Sequence, residues 1–114
     1  MCTVIVLHPP AHRWPVLIAA NRDERLDRAW DPPAAWWPDH AGITGGRDRT
    51  AGGTWMALGP TGVLAAVLNR PGSLGPADGK RSRGELPLLG ASAPNADAAV
   101  ATLTGLAAAA WRPF

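Results

Sequence analysis

The sequence predicts an α+β chain. Strand-length apolar runs fill its first two thirds, and a helix-spaced apolar pattern occupies its last third. The 13 Gly and 12 Pro among 114 residues are too many for a helical bundle, since neither residue suits a helix interior. Strands first and helix later is the α+β order, and the length admits one domain. A hydrophobic share of 46% with a net charge of only +2 argues against a disordered chain. The core is nevertheless thin: Ala, at 22 residues, is as frequent as Leu, Ile, Val and Phe together.

Residues 3–7 are β-branched and apolar and predict a buried strand. Residues 8–14 contain Pro9 and Pro10 and read as a turn. Residues 16–20 are a second apolar run, close enough to the first for an antiparallel hairpin. That run stops at the five polar residues Asn21, Arg22, Asp23, Glu24 and Arg25. Residues 27–48, rich in Pro, Trp and Gly, predict a long loop with one short strand at 43–45. Runs 54–58 and 63–68 flank Gly59-Pro60-Thr61-Gly62, a four-residue hairpin connection. Residues 69–81 read as loop. Ser82 is placed to cap a short helix over 84–89, with Glu85 completing a capping box. Pro94-Asn95 precedes an amphipathic helix over 96–110, whose apolar side carries Val100, Leu103, Ala107 and Ala110.

The bulk properties exclude several function classes. The 11 Lys and Arg barely exceed the 9 Asp and Glu, and no run of basic residues forms the stripe of a nucleic-acid binder. The nearest cluster is Arg70, Lys80, Arg81 and Arg83 around one loop, which reads as a solvated loop or as a site for an acidic group of a ligand. One cysteine, Cys2, excludes an internal disulfide. No apolar stretch approaches the ~18 residues of a membrane span. The N-terminal apolar run is too short for a secretory signal, so a cytoplasmic location is expected.

Four features carry chemistry. Cys2 directly follows the initiator Met, and removal of Met1 would leave a thiol beside a free α-amine of pKa ~7.7–8.0, its own base. The plain alternative is a small buried hydrophobe, common for free Cys. Arg22 and Asp23 sit in a dense polar group at a strand end, either orienting a neighbour or forming a charged turn. Asn69 falls where a strand passes into a loop, a place for an oxyanion donor, though Asn also favours turns there. His8, His12 and Cys2 suggest a metal, but Pro9 and Pro10 break the helical spacing that His-x3-His needs, so no metal site is expected. Trp36-Trp37 in a polar loop is a candidate pocket wall.

Met1-Cys2, Ala19-Ala20-Asn21-Arg22-Asp23-Glu24, Ala51-Gly52-Gly53-Thr54-Trp55, Leu68-Asn69-Arg70 and Ser82-Arg83-Gly84-Glu85-Leu86 occur in the order found in the NRDE family, which includes transport and Golgi organisation protein 2. The resemblance spans about residues 1–90, and Trp111-Arg112-Pro113-Phe114 also looks like a family segment. It implies likeness to the N-terminal-nucleophile hydrolases, whose fold is an αββα sandwich of antiparallel strands. In the cysteine-type members the mature N-terminal Cys attacks an amide carbonyl. The resemblance implies that Cys2 is the nucleophile, that Arg22 and Asp23 support it, and that Asn69 stabilises the oxyanion. The order Asn-Arg-Asp-Glu and its spacing differ from those enzymes. Related chains are longer, so residues 1–114 are expected to be a single partial domain, marginally stable, with exposed apolar sheet edges.

The expected function is that of a cysteine amidohydrolase on a non-peptide amide, with no cofactor and a small-molecule partner. The alternatives are non-enzymatic haem or lipid handling, secretory-pathway organisation, and an inactive truncated product.

Overall fold

The computed structural model describes residues 2–70, 72 and 77–112. Strands β1 (Thr3–Leu7) and β2 (Leu17–Asn21) pair as an antiparallel hairpin. Strands β3 (Trp30–Ala34), β4 (Thr44–Asp48), β5 (Met56–Leu58) and β6 (Leu64–Ala66) form a second antiparallel sheet in the order β3-β4-β5-β6. A 3-10 turn at Arg83–Glu85 runs into helix α1 (Leu86–Ala91), followed by helix α2 (Ala96–Thr104) and a 3-10 turn at Ala108–Ala110. The fold is α+β with two antiparallel sheets and two helices, as expected for part of a layered sandwich. Met1, where the expected N-terminal processing falls, lies outside the described residues, as do Pro113 and Phe114 of the tail segment and positions 71 and 73–76 of the 69–81 loop.

The first hairpin forms where its sequence places it, with β2 starting one residue later than the apolar run. The main departure is β3. Pro32 and Pro33 sit inside it, and for that reason the segment reads as loop in the sequence. A strand survives because β3 is at the sheet edge, where a missing N–H leaves no ladder bond unmade. Its register slips between Asp31 and Ala34, at the two prolines. The short strand expected at 43–45 is the start of the longer β4.

The helices also differ. Ser82 Oγ accepts from the Gly84 N–H at 3.2 Å, so the expected cap is present. Glu85 does not complete a box: its carboxylate takes the Arg81 guanidinium instead, with Arg81 Nε at 3.1 Å. Asn95 caps α2 through Oδ1 to the Ala98 N–H at 2.9 Å. The helix ends at Gly105 and not at 110. Consequently Ala107 and Ala110 lie outside α2, Val100 is 60% exposed, and Ala99 is the residue that α2 buries. Gly105, a poor helix former, follows the last helical residue, before the expected face is complete.

Helix α1 packs on β5, β6 and α2. The buried centre is small: Ile43, Ala57, Leu88 and Ala91, with Trp37 and Ala65 against them. The first hairpin contributes nothing to it, and Ile5 is 53% exposed, with Val6, Leu7, Leu17 and Ile18 also exposed. Backbone proximity stands in for side-chain volume. Thr54 N–H donates to the Gly84 carbonyl at 2.9 Å, and a Cβ on Gly53 would stand 2.5 Å from that same carbonyl. Position 53 therefore needs glycine, because two backbones approach closely there, and a Cβ on Gly84 would be tight at 3.3 Å.

Two outcomes follow. Gly53→Ala is expected to lower stability by about 1–3 kcal/mol, the range for overpacking; an unchanged urea midpoint would show that the two loops do not touch. The exposed hairpin predicts that the native chain binds a dye for apolar surface and melts without a sharp transition. A cooperative thermal transition in a monomeric sample contradicts that.

Candidate functional site

The register of the first hairpin makes the first contact. Thr3 pairs with Asn21, so the preceding residue, Cys2, comes to lie beside residues 22–23. The Asp23 backbone N–H donates to Cys2 Sγ at 3.2 Å, and the thiol faces the Asp23 carbonyl at 3.5 Å. Cys2 is half-buried. These contacts of Asp23 with the sulfur run through its backbone.

Arg22 is placed by an aromatic surface. Its guanidinium lies over the Trp55 ring, 4.3 Å from the centroid. Trp55 in turn meets Trp30 edge-on, centroids 6.1 Å apart at 75°. The Trp55 ring crosses β4 at Gly46, where a Cβ would stand 2.5 Å from it. The absence of a side chain in that strand thus makes room for Trp55, and Trp55 orients Arg22.

A chain of charges continues from there. Glu24 lies 3.7 Å from Arg22 and 3.8 Å from Arg28. Arg28 Nη2 donates to Asp48 Oδ2 at 2.6 Å, and Asp48 also accepts from the Thr50 N–H at 2.9 Å. Burial pushes the Asp48 carboxyl up, but the Arg28 hydrogen bond and the turn N–H groups outweigh it and hold it below the usual range. Arg83 is held below the usual guanidinium range, first by burial and then by the charge of Arg112, with Glu24 offsetting part of this.

These groups surround an open cleft of about 1050 Å³, room enough for a small molecule. All four residues singled out in the sequence, Cys2, Arg22, Asp23 and Asn69, line it. Cys2 also borders a second cavity, of about 60 Å³, between the hairpin (Val4, Ala20) and β5–β6 (Met56, Ala66).

Trp55, part of a quoted motif, also lines the cleft, and three further residues on its wall were not singled out as site residues in the sequence: Arg28, Asp48 and Arg112. Arg112 sits in a segment with a family-like pattern, which was the available signal; nothing local marks Arg28 or Asp48. The basic cluster disperses. Arg81 lies 4.2 Å over Trp111 and pairs with Glu85, Lys80 donates to the Ala109 carbonyl, and Arg83 turns into the cleft. Trp36 and Trp37 do not form the pocket wall. Trp37 packs on the core and donates to the Gly52 carbonyl at 2.7 Å, and Trp36 lies under Arg47. Among the described residues, no three His, Cys, Asp or Glu side chains are grouped to hold a metal ion, and no helix is long and apolar enough to cross a membrane.

These features define a class: an α+β protein with a half-buried thiol just before its first strand, at the rim of an arginine-lined cleft. A family model described as Transport and Golgi organisation 2 matches residues 1–108. The chain belongs to that family, the one its ordered motifs resemble. No curated protein and no solved structure matches it.

The Arg28–Asp48 pair sets a pH dependence. Because the folded Asp48 carboxyl titrates below its unfolded value of about 3.9, its contribution is complete above that value and is lost as pH falls through the lower, folded one. Asp48→Asn is expected to cost roughly 1 kcal/mol, discounted because solvent reaches Arg28, and to flatten the acid limb of stability against pH. An acid limb of unchanged slope in urea titrations would assign it to other carboxylates.

Proposed function

We propose that this chain is a cysteine hydrolase of the N-terminal-nucleophile type, acting on a non-peptide amide. The observation that carries this reading is the meeting of Cys2, Arg22, Asp23 and Asn69 on one cleft, although they come from three separate segments. Removal of Met1 frees the α-amine of Cys2. That amine takes the thiol proton, and the Asp23 N–H steadies the sulfur as it gains charge. The thiolate attacks the amide carbonyl carbon, and Asn69 stabilises the oxyanion. Collapse expels the amine with the proton returned by the α-ammonium, and water hydrolyses the thioester. Arg22 and Asp23 orient the nucleophile. No cofactor enters the scheme, and the same proposal places the reaction in the cytoplasm.

A second reading is a carrier of a hydrophobic ligand such as haem or an acyl lipid. The exposed apolar hairpin beside a small apolar cavity favours it, as does the transport wording of the family's description.

Three measurements separate these readings. Intact mass is expected to show loss of Met1; retention would block the amine and end the mechanism. Cys2→Ala is expected to cut amide turnover by more than ~10³-fold, and Asn69→Ala by ~10²–10³-fold; unchanged turnover in Cys2→Ala assigns the activity elsewhere. In spectral titration with haem or acyl lipid, saturation without turnover identifies the carrier.

A further inference from the structure

Cys2 borders two spaces of different size and chemistry. On one side is the open cleft of about 1050 Å³, which holds Asn69 and the charged residues. On the other is the cavity of about 60 Å³ between the first hairpin and β5–β6. Arg22, Trp55 and Val67 line both spaces, so the two are neighbours across them.

Strand pairing explains the small cavity. Val4 pairs with Ala20 in the hairpin, and Met56 pairs with Ala66 in the second sheet. Cross-strand partners share a face of their sheet, and all four residues line the cavity. Each sheet thus brings one larger and one small side chain to the same gap, and the two alanines leave it unfilled. Leu68 continues the apolar wall, and Asn21 and Arg22 are its polar members. The Arg22 guanidinium is laid on the Trp55 ring. Apolar walls that face a gap forgo dispersion contacts, which an alkyl group would restore. At roughly 10–15 Å³ per water-sized group, the cavity of about 60 Å³ takes about four to six such groups. That is the bulk of an acyl chain of about three to five carbons.

The order of bond breaking says which half of an amide fits which space. The amine departs first, and the acyl group stays on the sulfur until water reaches the thioester. The departing half needs the wide exit, and the half that stays can fill the narrow space. Taking Cys2 as the nucleophile of the proposed hydrolase, we infer that the small cavity is its acyl subsite, selecting a short acyl group of about three to five carbons, while the amine half lies in the charged cleft. Ala20 and Ala66 set the length limit. The substrate is then a short-chain N-acyl compound whose larger, polar half is the amine.

The test is a chain-length series on the full chain, in which Cys2 is the sole cysteine. Alkyl methanethiosulfonates from methyl to octyl are the probes. The Cys2 sulfur attacks the alkyl-bearing sulfur, a new S–S bond forms, and the S–S bond of the reagent breaks. Methanesulfinate leaves with the electron pair, and the thiol proton goes to the buffer. Intact mass follows the rate, which is divided by that of glutathione with the same probe. The ratio is expected to rise about fourfold per methylene up to propyl or butyl. It is expected to fall more than about fivefold by octyl, which overpacks the space. Ala20→Leu and Ala66→Leu are each expected to move the optimum to methyl or ethyl, and Met56→Ala to move it to a longer chain. Ala101→Leu, at an exposed position of α2, should leave the profile unchanged. A flat profile, a ratio that climbs through octyl, or an optimum unmoved in both leucine variants each overturns the assignment, and the climb points to the lipid carrier instead. Should one leucine variant fail to fold, the other and the parent profile still decide. Labelling needs neither loss of Met1 nor amide turnover. A short-chain optimum without turnover therefore sinks the hydrolase reading and leaves an alkyl-binding cavity, whereas turnover with a flat profile sinks the acyl subsite and leaves the hydrolase.

Discussion

The close passage of Gly53 against Gly84 is the constraint on which the rest of the site depends. The Asp48–Gly53 turn is tied at its base by the Asp48 N–H to the Gly53 carbonyl at 2.8 Å, and to the second segment by the Thr54 N–H to the Gly84 carbonyl at 2.9 Å. One contact therefore sets the position of Asp48 with its partner Arg28, of β5 beyond Thr54, and of Arg83 opposite. A side chain on Gly53 would part the two segments and open one wall of the cleft.

A protein so poor in large apolar residues has to be held in this way. Its buried centre uses Ile43 and Leu88 with two alanines, and hydrophobic stabilisation scales with the apolar area removed from water. Small residues bury little area each, but they let backbones approach, and an approach of that kind exchanges side-chain burial for well-formed hydrogen bonds. The same economy operates at Gly46, where an empty position in β4 receives the Trp55 ring. The ring then carries Arg22 on its face. Polar chemistry at the cleft thus rests on aromatic and glycine geometry a strand away.

The cleft also joins two units that share little else. The first hairpin supplies Cys2, Arg22 and Asp23; the four-stranded sheet and its following segments supply Trp55, Asn69 and Arg83. The hairpin leaves its own apolar faces exposed, so its placement relies on the Arg22–Trp55 stacking and on the contacts around the small cavity between Val4, Ala20, Met56 and Ala66. Charge pairs along residues 22–28 lie at the junction and are partly screened, and the network as a whole has more weight than any one pair.

Local pattern determined much of this protein. The β-branched run of β1, the Gly-Pro-Thr-Gly connection of the β5–β6 hairpin, and the caps at Ser82 and Asn95 depend on neighbours in sequence, and they form where the chain indicates. Cys2 was legible as a candidate because it directly follows Met1, and Arg22, Asp23 and Asn69 because polar groups at strand ends are conspicuous beside apolar runs. Tertiary structure alone decided the rest. A proline-bearing strand at 30–34 exists only because it falls at a sheet edge, and α2 is shorter than its Ala content suggests, with Gly105 following its last residue. Trp37 went to the core while Trp55 went to the cleft, a choice set by which ring had a glycine strand to lie across. Arg112 is far in sequence from everything it faces, and its place beside Arg83 follows from the bridge between Arg81 and Trp111. Local propensity reads a few residues at a time, whereas the pairing of distant backbones is settled only when the whole chain has closed on itself.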